Sequence, residues 1–303
     1  MIIDLAKINF GGGGGSKIKV QDLKVVTQNV DSSGAYDFQP DEGYDAMKAV
    51  KANLTIPSTP AQTVDLKTGI KFGMSTFSAM PFTLICDSGV TDMSQMFSNC
   101  YSLKTLDLSN FNTSNVTNMS YLFSYCRNLA TLDLSNFNTS NVNYMYYMFT
   151  NCENLTPLDL SNFDTINVID MNNMFDSCKN LKTLDLSNFN TSNVTNMNNM
   201  FAYCGKLTSL NLSNFDTNEV SSMAYMFYNC NNLTTLDLSN FDTNKVTYMN
   251  NMFKNCNSLT TVKVINCNEA TKNKILTQLQ TDLKSYTWTL GDDGIIRRSE
   301  KTA

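Results

Sequence analysis

Seven cysteines stand at positions 100, 126, 152, 178, 204, 230 and 256, each 26 residues beyond the last. A regular thiol ladder could ligate metal, form disulfides or run redox chemistry. Zinc takes Cys-x-x-Cys pairs or mixed Cys/His sets, whereas these cysteines are single and the chain contains no histidine. The same absence excludes histidine-based triads, histidine metal ligands and histidine pH sensing. Disulfides between stacked units are conceivable, because stacked positions can reach the ~5.5–6 Å Cα separation they need. Each cysteine nevertheless closes an apolar run of the form Met/Leu-Phe-x-x-Cys. A small buried hydrophobe fits there, and free cysteine is among the most buried residue types. A core role is therefore expected, with no metal, cofactor or catalytic residue.

Two other ladders are open to solvent. Asp107, Asp133, Asp159, Asp185 and Asp237 recur at one position, with Asn211 breaking the series. Stacked strands lie ~4.8 Å apart, so a column of like charges results. Calcium, or a cationic or hydroxyl-rich ligand, could relieve the repulsion; solvation and hydrogen bonds to neighbouring Ser and Thr are the favoured account, because scattered carboxylates without backbone-carbonyl loops rarely make a calcium site. Tyr121, Tyr144, Tyr146, Tyr147, Tyr225, Tyr228 and Tyr248 fall between the apolar positions and are expected to face outward. Tyrosine combines a flat apolar face with a polar tip, which suits recognition and sugar stacking. Packing against neighbouring units is the alternative role. The tyrosines vary from unit to unit while the apolar positions do not, as on a scaffold that has acquired a specific partner.

The elements that position these residues follow from the repeat itself. Aligned on cysteine, the unit reads L-x-x-L-D-L-S-N-F-x-T-x-x-V-x-x-M-x-x-M-F-x-x-C, as in Leu103, Leu106, Leu108, Phe111, Val116, Met119, Leu122, Phe123 and Cys126. Leu-x-x-Leu-x-Leu alternates as a short strand does. Val116, Met119, Leu122, Phe123 and Cys126 are spaced 3, 3, 1 and 3 apart, which predicts a short helical or 3₁₀ return. One unit cannot bury its own apolar face; a stack can. The expected fold class is an α/β solenoid of the leucine-rich repeat kind, with a parallel sheet of about eight short strands, helical or 3₁₀ returns and a small N-terminal β module. Thirteen of the 17 methionines and thirteen of the 18 phenylalanines fall at repeat core positions.

The array is expected over 77–267, opening on a degenerate strand through Phe77, Met80, Phe82 and Ile85 and closing on Leu259, Val262, Val264 and Cys267. Residues 268–303 read as a C-terminal cap: a helix from Ile275 that plugs the open end with Trp288, then a polar final strand. Before the array, 1–16 reads as a strand and a Gly-rich tether, 17–57 as a small β anchor and 58–76 as linker and N-terminal cap. The Gly11–Gly15 run lacks the Lys-Ser/Thr of a phosphate loop. With 303 residues, a formal charge of −5 and a pI near 4.8, the chain has no basic stripe for nucleic acid. No apolar run reaches the ~18 residues of a membrane span. The first ten residues lack a basic n-region and an apolar h-region, so folding in a reducing cytoplasm with free thiols is expected.

The run Ser109–Leu129, Ser-Asn-Phe-Asn-Thr-Ser-Asn-Val-Thr-Asn-Met-x-x-Leu-Phe-x-x-Cys-x-x-Leu, closely resembles the BspA-like leucine-rich repeat family of bacterial and phage surface proteins. The resemblance covers Phe77 to Cys267. A shorter stretch, Val25–Val30 followed by Phe38-Gln-Pro-Asp-Glu-Gly-Tyr-Asp-Ala-Met-Lys-Ala-Val50, resembles a module recurrent in phage tail and tail-fibre proteins. Together these resemblances imply a non-enzymatic recognition protein on a virion, joined to virion or tail proteins through its N-terminal module. Its repeats would then bind a host-surface protein or glycan. The alternative is a bacterial cell-surface adhesin of the same family. A homo-oligomer is compatible with either. Neither nucleic acid nor membrane insertion is expected.

Overall fold

The structure, a computed structural model, describes residues 90–109 and 111–301, together with the backbone of three strands before them. The expected tether and most of the 17–57 anchor lie outside the described residues. Strands β1 (Val50–Leu54), β2 (Gln62–Leu66) and β3 (Phe82–Cys86) form one antiparallel sheet in the order β2-β1-β3. The segment expected to open the array in parallel thus pairs antiparallel with β1 instead, with Phe82 opposite Leu54.

From Val90 onward, successive 26-residue coils stack in register. Seven positions form an unbroken parallel ladder: Asp92, Asn118, Tyr144, Asp170, Asn196, Ser222 and Tyr248. Inside, the same residue types meet their own copies. Phe123, Phe149, Phe175, Phe201 and Phe227 stack face to face at 5.7 Å between successive ring centroids. The Val, Met, Leu and Cys positions named above are buried along the stack, except that Leu210 is half-buried. Each buried large side chain contributes about 1.5–3 kcal/mol, so a single period of apolar residues is enough to hold neighbouring coils together.

Buried polar residues complete the contact between coils. Thr139 is buried; its hydroxyl donates to the Asp164 carbonyl at 2.8 Å and accepts the Asp164 N–H at 2.8 Å. Thr113, Thr165, Thr191 and Thr217 do the same one coil apart. The Asn162 amide donates to the Leu134 and Phe137 carbonyls of the preceding coil at 2.9 and 2.8 Å. The invariant Asn and Thr of the repeat are thus coil-to-coil fasteners as well as turn formers.

Two expectations are corrected. Among the described residues, the sheet on the Leu-x-Leu side falls short of eight strands: β4 (Thr183–Asp185) pairs with β5 (Ser209–Asn211), and β6 (Thr235–Asp237) with β7 (Thr261–Lys263), each only three residues long. Pro157 stands where those strands begin and has no N–H to give a ladder. The continuous ladder runs on the other side of the coil, through position 144 and its counterparts.

The returns are also not helical. Leu122 N–H closes a turn on Met119 O at 3.2 Å, Ser124 on Tyr121 at 3.0 Å and Cys126 on Phe123 at 3.1 Å. The alternate N–H groups point along the stack: Met119, Tyr121, Phe123 and Tyr125 donate to Tyr144, Tyr146, Met148 and Thr150 of the next coil at 2.7–3.0 Å. Left-handed residues, Tyr121 at φ 56° and Tyr125 at φ 61°, produce this alternation. A helix would spend every N–H within its own coil and leave the stack without these bonds.

The C-terminal end is closed by α1 (Glu269–Asp282), then β8 (Tyr286–Leu290) and β9 (Ile295–Glu300). Asn268 caps α1 by accepting from Thr271 N–H at 2.8 Å. Strand β9 inserts between β7 and β8, giving the order β6-β7-β9-β8, and Trp288 is buried. The helix, the tryptophan plug and the final strand follow the sequence reading, with the helix starting six residues earlier than Ile275.

Candidate functional site

The thiol ladder is inert packing. All eight described cysteines are free and buried. Sγ of Cys126 donates to Phe97 O at 3.1 Å, Cys152 to Phe123 O at 3.1 Å and Cys178 to Phe149 O at 3.2 Å, and the pattern continues to Cys256. Burial pushes the Cys152, Cys204 and Cys256 thiols up to about 12. A thiol held protonated this way is a poor nucleophile and a poor metal ligand. Among the described residues, no group of three or more Cys, Asp or Glu is placed to hold a metal ion, and no helix is long and apolar enough to cross a membrane.

The aspartate column is exposed and has a local occupation. Asp107, Asp133, Asp159, Asp185 and Asp237 each accept the backbone N–H two residues ahead, from Ser109, Ser135, Ser161, Ser187 and Ser239, at 2.9–3.1 Å. That bond holds the first four carboxyls below the usual carboxylate range. At Asp237 burial works the other way and is outweighed by Ser239 and Lys263, the latter at 3.5 Å. Asn211, where the series breaks, makes the same turn with Ser213 N–H at 3.1 Å and donates to Asp185 at 3.1 Å. These aspartates are turn residues, each aimed at its own backbone.

The tyrosines gather differently. Tyr121 lies flat on Tyr147, ring centroids 4.6 Å apart and planes at 11°, and meets Tyr146 edge-on at 5.4 Å. Tyr144 meets Tyr146 at 6.2 Å, and Tyr146 meets Tyr147 at 6.3 Å. Four of the seven expected residues thus form one cluster on two adjacent coils. Tyr225 and Tyr228 meet at 5.5 Å in a second group further along the stack. Tyr248 stands apart as the most exposed large hydrophobic side chain on the described surface, at 64%.

The sequence reading missed Tyr101, Tyr125, Tyr203, Asp170 and Asp176. Tyr203 joins the second group, 5.1 Å from Tyr228. Arg127 sits over Tyr101 and Tyr125, 5.5 and 5.8 Å from their centroids. Asp170 and Asp176 lie on the coil between the two groups. Burial, then the Asp176 charge, then Tyr125 and Asp170, raise the Tyr147 hydroxyl above its usual range. At Tyr203 burial comes first, then Tyr228, with Asp176 contributing. Burial pushes Asp176 itself up to about 6, against the Ser177 hydroxyl, which donates to it at 3.2 Å. Reading the sequence in columns 26 apart would have shown Tyr125 and Tyr203 interrupting a column of Asn and Ser, and Asp176 following Ser98, Ser124 and Thr150.

The columns also expose a cost. Two positions in every coil are left-handed. The first column is Gln95, Tyr121, Tyr147, Asn173, Asn199, Tyr225 and Asn251; the second is Asn99, Tyr125, Asn151, Ser177, Tyr203, Asn229 and Asn255. Asparagine tolerates this backbone, whereas a bulky side chain strains it by roughly 1 kcal/mol. Five tyrosines occupy places where sister coils use asparagine.

A family model described as "Mycoplasma protein of unknown function, DUF285" matches residues 74–184 and 145–266, which together span more than half of the chain. No curated protein and no solved structure matches it.

Proposed function

The chain belongs to the DUF285 family, whose repeats are of the BspA-like kind, and from that premise we propose that it is a non-enzymatic recognition protein of the bacterial cell surface. In this reading the 26-residue coils form a leucine-rich solenoid that displays the tyrosine face to a host-surface protein or glycan. The family match begins at residue 74 and lends nothing to attachment through residues 17–57. The virion expectation therefore gives way to the cell-surface one.

One observation carries the proposal. Tyr121, Tyr125, Tyr147, Tyr203 and Tyr225 sit in left-handed backbone that the repeat otherwise assigns mostly to asparagine. A residue that strains its own backbone while the scaffold already has a relaxed solution points to a demand outside the scaffold. Tyrosine supplies large, rigid contact area at low entropic cost, the property that enriches it in binding surfaces. The aspartate column gives no comparable sign, because its carboxylates are committed to their own turns.

The test replaces each tyrosine of the first cluster with a residue the same column already uses: Tyr121→Asn, Tyr147→Asn, Tyr144→Asn and Tyr146→Ser, after Asn173, Asn118 and Ser120. Retention of the full chain on host cells, and on arrays of host glycans and proteins, is compared with wild type. Loss of retention at unchanged melting temperature supports the reading. Retention equal to wild type sinks it.

A further inference from the structure

The molecule contains its own worked example of what its tyrosine columns hold. The Arg127 guanidinium lies over the Tyr101 and Tyr125 rings at 5.5 and 5.8 Å and is backed by the Glu153 carboxylate at 3.7 Å. A cation over an aromatic face gains from the ring quadrupole, and a carboxylate behind it adds charge attraction. Three coils further on, Tyr203 stands at the position of Tyr125, while Gly205, Lys179 and Asn231 stand at those of Arg127, Tyr101 and Glu153. Tyr203 is 46% exposed.

A carboxylate waits beside this tyrosine too, from the coil on its other side. Asp176 is half-buried and accepts from the Ser177 hydroxyl at 3.2 Å. The Ser177 N–H donates to Ala202 O at 2.8 Å, which seats Asp176 and Tyr203 on adjoining coils, and the Asp176 charge acts on both Tyr203 and Tyr147. Lys179 and Lys206, each three residues along the chain from Asp176 and Tyr203 respectively, are committed elsewhere. Lys179 pairs with Glu153 at 3.1 Å, and Lys206 donates to Asn180 at 2.7 Å. Among the described residues, no lysine or arginine pairs with Asp170 or Asp176.

We propose that the face of Tyr203, with Asp176 beside it and Gly205 leaving the approach open, takes a lysine or arginine side chain from a protein partner. This rests on the recognition reading above and names the chemistry its ligand must present: a basic segment, complementary to a chain of formal charge −5. The cluster of Tyr121, Tyr144, Tyr146 and Tyr147 would then contact the apolar surroundings of that segment, two to three coils from Tyr203.

Gly205 makes the proposal testable without disturbing the scaffold. Its backbone is not left-handed, and an added Cβ would meet only Asn229 O, at 4.0 Å. Gly205→Arg should therefore fold and place the chain's own guanidinium over Tyr203, as Arg127 does over Tyr125. The probes are N-acetyl-arginine amide, N-acetyl-lysine amide and the neutral N-acetyl-citrulline amide, titrated into the full chain with tyrosine rings followed by NMR. Saturable shifts at Tyr203 with the two cations and none with citrulline are expected, weakened about tenfold or more by Gly205→Arg and by Asp176→Ser. Serine already occupies the Asp176 column at Ser98 and Ser124.

Absence of saturable shifts, equal shifts from citrulline, or indifference to Gly205→Arg overturns the proposal. If the Tyr121/Tyr144/Tyr146/Tyr147 swaps abolish host-cell retention while no cation binds at Tyr203, recognition stands and the cationic ligand falls. If cations bind at Tyr203 while those swaps leave retention intact, this site stands and the recognition reading falls.

Discussion

The backbone N–H of Phe253 donates to Asp282 Oδ2 at 2.9 Å. In every earlier coil the N–H at that position goes to a carbonyl of the coil beneath, as Phe227 does to Met252 O at 2.9 Å. The last coil has none beneath it, so a carboxylate at the end of α1 takes the place of the missing peptide. Two more residues of α1 act alike. Thr271 Oγ1 accepts Thr243 N–H at 3.0 Å, and the Lys274 ammonium donates to the Thr243 and Val246 carbonyls. The cap is a set of polar substitutes for one absent coil, with the apolar plug of Ile275, Leu279 and Trp288 beside it.

Removing the substitute strands a donor. Asp282→Ala is expected to cost about 1–3 kcal/mol, the penalty for an unsatisfied buried N–H. Asp282→Asn keeps an oxygen acceptor and should cost less. Denaturant titration of both variants against wild type checks the order; an alanine variant as stable as the asparagine variant would show that the carboxylate is not a cap.

The tyrosine swaps give a second prediction, this time of stability. Tyr147→Asn relieves roughly 1 kcal/mol of left-handed strain and loses the partly buried face stacked on Tyr121. The two nearly cancel, so the midpoint of unfolding should move by less than about 1 kcal/mol. A loss of 3 kcal/mol or more would mean that the cluster serves packing between coils, the other role its residues allow.

How much of this was legible depends on which period a residue obeys. Phe123, Met119 and Cys126 recur every 26 positions without exception, and burial follows the recurrence, so the core could be written from the sequence. The returns could not. Spacing of 3, 3, 1 and 3 fits a helical face, and it equally fits a chain of turns whose left-handed residues fall on the uncommitted positions 121 and 125. The deciding sign was the asparagines in those two columns, since asparagine is the non-glycine residue that accepts φ > 0 most readily. Tyr203 and Asp176 went unnoticed for a related reason: each lies in a gap of the consensus, and only its neighbours one coil away show that it departs from anything. The Leu-x-Leu strands read as strands, yet three residues with Pro157 in one copy cannot sustain a sheet along the whole stack.

Thiol chemistry supplies a third prediction. With Cys152, Cys204 and Cys256 held near 12 by burial, the eight described cysteines should resist a disulfide-exchange reagent in native protein at neutral pH. All nine in the chain should react at once in denaturant. Rapid reaction of several thiols in the native state would contradict the buried ladder.

The aspartate column yields a fourth. Asp133→Asn and Asp159→Asn retain the oxygen that accepts from Ser135 and Ser161, as Asn211 does for Ser213. Both should therefore melt close to wild type at neutral pH. Alanine at the same sites loses the turn bond and should melt lower. Added calcium should move none of these transitions; a calcium-dependent rise that the asparagine variants abolish would restore the column as a metal site.

Asp176 makes pH the sharpest test of the surface between the tyrosine groups. Burial raises its carboxyl in the folded state to about 6, above the ordinary 3.8 that an unfolded chain would show. Between those values the folded protein holds a proton that the unfolded chain has lost. The contribution to stability is complete below 3.8 and disappears as pH rises through about 6. The groups its charge acts on are Tyr147, Tyr203, Cys178 and Cys204; all four stay neutral across that window, so none of them distorts the curve. Asp176→Ser removes the titration. Relative to wild type, the variant should gain stability as pH climbs from 4 to 7, by ~1–2 kcal/mol for a group still partly open to water. A stability difference that is flat over this range would mean that Asp176 is solvated like any surface carboxylate. A bound arginine amide should produce the opposite of burial: by favouring the ionised form it should pull the carboxyl back down and shift the window to lower pH, visible as a lower midpoint for the Tyr203 ring shifts.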